Sequence, residues 1–214
     1  MNTINLYNTD CMEFMRGLPD KYYELAIVDP PYGIGLTYDK KTKTWGAGKK
    51  TSIHSDAWDF EKPTKKWANE LFRVSKNQIV WGANHFIESM CLNSSCWIVW
   101  DKQNGSSYFA DCELAWTSFQ TAVRIFKLVT VKSNRIHPTQ KPVALYKWLL
   151  KNYAKAGDKI LDTHGGSMSI AIACHDMGFD LDLCELDPDY YAAGVKRYEQ
   201  HKAQLSMFTP DEVR

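Results

Sequence analysis

Short runs of apolar, β-branched and aromatic residues recur along the chain, at Ile4–Tyr7, Leu25–Val28, Gln78–Trp81, Trp97–Trp100, Glu113–Ser118, Val123–Val131, Lys159–Leu161 and Phe179–Cys184. Bounded by turn residues, runs of this length read as strands. Helical patterns lie between several of them: Thr64–Val74 opens after Pro63, Pro142–Tyr153 ends before Gly157, Ser167–Met177 ends at Gly178, and Pro188–Gln204 is the longest. This alternation confines the chain to an α/β fold, a mostly parallel central sheet with helices on both faces, because parallel neighbours need crossovers and the crossover helices cover the sheet. A length of 214 residues fits one domain, and 44% hydrophobic with 24% charged residues excludes a disordered, collagen-like or coiled-coil chain. The stretch Gly33–Phe60, rich in Lys, Thr and Gly, is too long for an ordinary connection and predicts a functional loop or lid.

No apolar run reaches the roughly 20 residues that span a bilayer. The opening MNTINLYNTDCMEF lacks the basic-then-apolar order of a secretory signal, so a cytoplasmic location without membrane contact is expected. Cys11, Cys91, Cys96, Cys112, Cys174 and Cys184 form no C-x-x-C pair and no zinc-type cluster, which predicts buried free thiols and no metal. The formal net charge is only +1, yet Leu114–Gly157 contains no acid and carries Arg124, Lys127, Lys132, Arg135, Lys141, Lys147, Lys151 and Lys155. Such asymmetry points to a polyanion on one face. For the last three lysines a solvated helix face is an equal alternative.

In Leu25–Gly33 an apolar strand runs into Asp29, Pro30, Pro31 and Tyr32. Ligand sites of open α/β sheets form beyond the carboxyl ends of strands. Paired prolines fix the backbone, so the Pro30 carbonyl and the Asp29 carboxylate make a rigid pair of acceptors. That pair suits the two N–H donors of an exocyclic amine on adenine or cytosine, with Tyr32 stacking on the ring. A Pro-Pro turn with Asp as a cap is the structural alternative. A second constellation, Ile160–Ser169, is again strand, acid (Asp162), glycines (Gly165, Gly166) and helix start (Ser167). Glycines admit close ligand approach, and Glu185, about 20 residues on at a strand end, stands where ribose-binding acids do in nucleoside-cofactor folds.

In order and content these segments resemble the β group of S-adenosylmethionine-dependent DNA amino-methyltransferases, across most of the chain. The resemblance rests on Asp29-Pro30-Pro31-Tyr32 first, then His137-Pro138-Thr139-Gln140-Lys141-Pro142, then Asp162–Ser169 and Glu185, with Asn8-Thr9-Asp10-Cys11 similar to the segment that contacts the cofactor's adenine. It implies a Rossmann-like class I methyltransferase fold with circularly permuted motif order. The implied division is a catalytic half, 1–118, a small basic recognition segment, 119–136, a cofactor half, 137–203, and a tail, 204–214. It implies Asp29, Pro30, Pro31 and Tyr32 as catalytic residues. Asp10, Cys11, Asp29, His137, Thr139, Lys141, Asp162, His164, Gly165, Gly166, Ser167 and Glu185 are implied to bind S-adenosylmethionine. His164 stands where relatives usually carry Phe, and Met168 where they carry Gly, which would add bulk beside the cofactor's methionine moiety.

The implied reaction is transfer of a methyl group to the N6 amine of a flipped-out adenine, since Asp in the first motif position leans toward adenine in that family. Cytosine-N4 methylation, amine methylation in RNA, and a DNA-binding protein that lost catalysis are the alternatives. Methylation at cytosine C5 is excluded by the lack of a Pro-Cys nucleophile. DNA phosphates are expected at Lys40, Lys41, Lys43, Lys49, Lys50, Arg124, Lys127, Lys132 and Arg135. Between Trp81 and His137 there is no room for a large recognition domain, which predicts short or relaxed specificity, or a homodimer. Gln204–Phe208 resembles the peptide by which bacterial proteins dock on the replication sliding clamp, the alternative being packing onto the sheet. A bacterial or phage-like, nucleoid-associated enzyme of restriction-modification type follows.

Overall fold

The structure is a computed structural model and describes residues 2–39, 44–47, 59, 61–90, 93–105, 110–129, 136–137 and 139–204. An eight-stranded sheet runs in the order β1-β10-β9-β2-β5-β7-β6-β8. Its strands are β1 (Ile4–Asn8), β2 (Tyr23–Val28), β5 (Ser75–Trp81), β6 (Trp97–Asp101), β7 (Cys112–Thr117), β8 (Arg124–Lys127), β9 (Lys159–Asp162) and β10 (Asp180–Glu185). Only β7 runs against its neighbours β5 and β6; the other pairings are parallel. The expected α/β architecture is therefore present, and one sheet threads through both the 1–118 and 137–203 portions of the chain.

Alternate residues of the central strands feed two cores. Leu25, Ile27, Ile79 and Trp81 pack beneath α4 (Val143–Tyr153), α5 (Ser169–Met177) and α6 (Pro188–Ala203), whereas Ala26, Val28 and Val80 pack beneath α1 (Cys11–Arg16), α2 (Lys65–Val74) and α3 (Ile87–Met90). The period of two puts successive side chains on opposite faces, so a strand apolar on both faces must lie between two helical layers. Buried Leu71, Leu149 and Ile172 each contribute roughly 1.5–3 kcal/mol of transfer free energy.

Several boundaries differ from those expected. Helix α1 escaped the pattern because a helix of 6 residues shows too little periodicity; Asp10 makes it possible by accepting Met12 and Glu13 N–H groups at 2.7 and 3.0 Å. The expected lid contains an antiparallel hairpin, β3 (Leu36–Asp39) with β4 (Thr44–Ala47), so it is not wholly irregular. Helix α5 starts at Ser169, not Ser167, because Met168 takes a left-handed φ of 55°. Strand β8 is shorter than Val123–Val131, having only β6 to pair with. Of the cysteines expected to be buried, Cys112 is exposed. Among the described residues no helix is long and apolar enough to cross a membrane, and no His/Cys/Asp/Glu group could hold a metal.

Candidate active site

The carboxyl ends of four parallel strands converge at one edge of the sheet. Strand β1 leads into Asp10, β2 into Asp29, β9 ends on Asp162 and β10 on Glu185. Parallel register aligns them, with Asn8 opposite Glu185 and Leu183 opposite Asp162. The strand-end acids singled out above are therefore brought together.

Asp29 and Tyr32 form part of a charged cluster. The Tyr32 hydroxyl donates to Asp29 Oδ1 at 2.8 Å, with Glu113 Oε2 at 3.3 Å. Lys141 Nζ lies 2.5 Å from Asp29 Oδ2 and 2.9 Å from Glu113 Oε2, and donates to the Tyr32 hydroxyl at 3.1 Å. A second cation, Lys102 Nζ, is 2.6 Å from Glu113 Oε1. Glu113 reaches this edge because β7 runs antiparallel to β5, pairing Ala115 with Trp81 and carrying the chain past the end of β5. Burial raises Asp29 above the usual carboxylate range, against the pull of Lys141. Burial also works to raise Glu113, but Lys141 and Lys102 overcome it and hold it at about 2. Burial would lower Lys141, yet Asp29 and Glu113 raise it, so the ammonium persists.

The turn after Asp29 is tied down from behind. Asp59 Oδ1 accepts the Tyr32 and Gly33 N–H groups at 2.7 and 3.0 Å, and the Asp59 carbonyl accepts Gly35 N–H at 2.9 Å. The Tyr32 ring stacks on His85 at 5.1 Å between centroids and lies against Gly82, where an added Cβ would come within 2.0 Å of the ring. Gly82 also has φ +68°, so both its conformation and its neighbour demand glycine.

The other expected site residues surround Asp162 and Glu185. Asp162 Oδ1 accepts His164 N–H at 3.0 Å, and burial holds the carboxyl at about 8. Glu185 accepts Gly166 N–H at 2.7 Å and Asp187 N–H at 2.9 Å, while burial raises it too. Gly165 is pressed against Leu183, whose Cδ2 lies 2.2 Å from a Cβ built there, so packing of the loop after β9 against β10 alone requires it. Gly166 is different: the nearest atoms that a Cβ there would meet are those of the His137 ring, at 3.8 Å. His137 bonds Thr139 Oγ1 at 3.1 Å, contacts Tyr190 edge-on, and is lowered to about 4 by burial. His164 sits edge-on to Trp67, 5.9 Å between centroids, and is likewise lowered to about 4 by burial. Cys11 opens α1, and burial pushes its thiol up to about 12. Ser167 is held from α6, its carbonyl accepting Arg197 Nη1 at 2.5 Å.

Met168 lies in the core. Its side chain is wholly buried and turns under α6, where a Cβ on Gly194 would meet its Cγ at 2.8 Å. The extra bulk goes into the core, and a glycine at Met168 would serve the left-handed φ. Of the expected phosphate contacts, Arg124 and Lys127 are exposed on the edge strand β8. Lys40, Lys41, Lys43, Lys49, Lys50, Lys132 and Arg135 lie outside the described residues, as do Pro138 and the tail beyond Gln204, which caps α6. Glu113, Lys102 and Asp59 were missed. A charged residue within the apolar strand CELAWT was the available signal for Glu113; for Asp59 the sequence offered none.

The N6/N4 family model, described as DNA methylase, matches residues 94–196. The chain is 26% identical to YubD of Escherichia coli over 208 residues, covering 88% of this chain and 87% of that protein. It is 24% identical to the type II methyltransferase M2.MboI of Moraxella bovis, covering 98% and 93%. Among solved structures it is similar to M1.HpyAVI in complex with SAM, at TM-score 0.62 and 19% identity over 91% of this chain and 98% of that one. It is similar also to the cytosine-N4-specific PvuII DNA methyltransferase, at TM-score 0.63 and 12% identity over 99% and 90%. By the family model over residues 94–196, by its methylase relatives and by its fold, this chain is similar to the N6/N4 group of DNA methylases.

Proposed function

We propose that the protein methylates the N6 amine of adenine in DNA, with Asp29 and the Pro30 carbonyl as the acceptors that activate the amine. The observation that carries this reading is a half-buried Asp29 carboxylate, its side chain 14% exposed, fixed beside Tyr32 at the end of β2, next in the sheet to the Asp162 strand. An aromatic amine is a poor nucleophile because its lone pair is delocalised into the ring. Accepting both N–H bonds localises that pair and stabilises positive charge as it develops on nitrogen. Tyr32 offers a ring face to a base removed from the duplex stack.

The residues around Asp162 and Glu185 fit S-adenosylmethionine. One buried and one half-buried carboxyl, with no ion-pair partner among the described residues, suit an ammonium and ribose hydroxyls, and Gly166 leaves room that a Cβ would narrow. Asp10, Cys11, His137, Thr139, His164, Gly165 and Ser167 would complete the walls. When bound, the cofactor supplies a methyl group on a positively charged sulfur. Arg124 and Lys127 would contact phosphates. Recognition across a homodimer is tested by sedimentation with and without DNA, and clamp docking by a pull-down with Gln204–Phe208 removed.

Radiolabelled cofactor, incubated with duplex DNA and separately with RNA, followed by digestion to nucleosides, tests the reading. Label in N6-methyldeoxyadenosine is expected. Label in N4-methyldeoxycytidine would overturn the choice of base, and label confined to ribonucleosides the choice of polymer.

A further inference from the structure

Lys141 is the one buried lysine among the described residues, its side chain 1% exposed. An ammonium has three protons to donate, and three acceptors surround this one: Asp29 Oδ2, Glu113 Oε2 and the Tyr32 hydroxyl. It has none left for a ligand. The lysine expected beside the cofactor is thus spent within the acid cluster. Removing a cation from water without compensating carboxylates is costly, and Lys141 has two.

The same geometry divides the two oxygens of Asp29. Oδ2 is pinned by a buried cation, whereas among the described residues Oδ1 holds only the Tyr32 hydroxyl, whose single proton also has Glu113 Oε2 within 3.3 Å. An incoming amine can take Oδ1 while that hydroxyl turns to Glu113. We propose that Lys141 and Glu113 are positioning residues: Lys141 pins Asp29 Oδ2 so that Oδ1 is the acceptor for the substrate amine, and Glu113 sets the strength of that pin by sharing the cation. The role in transfer rests on the function proposed above; the sharing of charge does not.

Among the described residues, the groups acting on Asp29 are Lys141, Glu113, Tyr32, Asp162 and Tyr146, with Lys102 acting through Glu113. Losing Lys141 leaves Asp29 among carboxyls, so it takes up a proton and can no longer accept at both oxygens. Losing the Glu113 charge gives Lys141 wholly to Asp29. The two variants therefore push Asp29 in opposite directions, which a general packing defect does not do.

The test is a 13C carboxyl titration of the full chain labelled at aspartate, with Asp29→Asn identifying the signal. It is paired with single-turnover rates against pH. Asp29 should titrate more than one unit higher in Lys141→Met, near the wild type in Lys141→Arg, and lower in Glu113→Gln, with the acid limb of the rate profile moving likewise. Should Lys141→Met not fold, Glu113→Gln against Lys141→Arg still decides. Equal titration in all forms, or a shift of the same sign in Lys141→Met and Glu113→Gln, overturns the proposal. A wild type that moves no methyl to DNA overturns the proposed function instead, and the titration still decides how charge is shared.

Discussion

Asp162 and Glu185 end β9 and β10, while Asp29 and Glu113 stand at β2 and β7, and the two pairs occupy one edge of the same sheet under different electrostatic regimes. Around Asp162 and Glu185 burial acts without an ion-paired cation, and both carboxyls rise, Asp162 to about 8. Asp29 and Glu113 are only partly buried, and Lys141 and Lys102 oppose the effect of burial: Asp29 is still raised, whereas Glu113 falls to about 2. Burial alone prepares a carboxyl to welcome a cation from outside. A buried lysine satisfies the carboxyl beforehand and leaves it a fixed acceptor.

The comparison breaks most visibly at Asp29. Asp29→Ala should lower the single-turnover rate by about 10²–10³-fold, the usual cost of removing one preorganised electrostatic contact. Cofactor affinity measured by calorimetry should change far less, since Asp162 and Glu185 are intact. Equal losses in both would mean that the two regions act as one.

Next in size is the pH dependence at Asp162. Its folded-state pKa is raised, so the native state keeps a proton that the unfolded chain releases, and stability falls as pH climbs from the ordinary carboxylate range through about 8. Asp162→Asn should remove that fall, gaining on the order of a few kcal/mol at pH 9 and little at pH 5 in urea titrations. Glu113 has the opposite sign: its stabilisation is present above the ordinary carboxylate pKa and is lost as pH drops toward about 2, so Glu113→Gln should flatten the acid side.

Smaller effects sharpen the contrast within the glycine pair. Gly165→Ala drives a Cβ into Leu183 and should cost about 1–3 kcal/mol, read as a lower Tm. Gly166→Ala meets nothing closer than 3.8 Å, and its cost should come from its φ of +49°, about 1 kcal/mol, together with weaker cofactor binding. Smallest of all, Arg124→Ala or Lys127→Ala on β8 should each reduce the slope of log affinity against log salt by about 0.9, measured by anisotropy on duplex DNA.

Much of the site could be read before the fold was known, for reasons that lie in particular residues. Asp29 and Asp162 each follow an apolar run and precede Pro or Gly, and a strand that stops on an acid in an α/β chain places that acid at the ligand edge. Glu185 followed from the same logic. Glu113 stood out only as a charge within an apolar strand, and its place was hidden because antiparallel β7 brings it to that edge from the opposite direction, a reversal that no local pattern announces. Asp59 was invisible because it ties the Tyr32 turn from across a long connection. Lys141 was legible as a motif residue, but its three contacts, to β2, β7 and the Tyr32 turn, were not.

The chain's local patterns determined the alternation of strands and helices, the apolar faces and the strand-end acids, because periodicity and turn chemistry act between near neighbours. Tertiary structure decided which charges meet. It sent Met168 into the core, set Lys141 between two carboxylates more than 25 residues away in the chain, and left Asp162 without an ion-paired cation among the described residues. Burial and Coulomb attraction depend on distance through space, and only the assembled sheet fixes that distance.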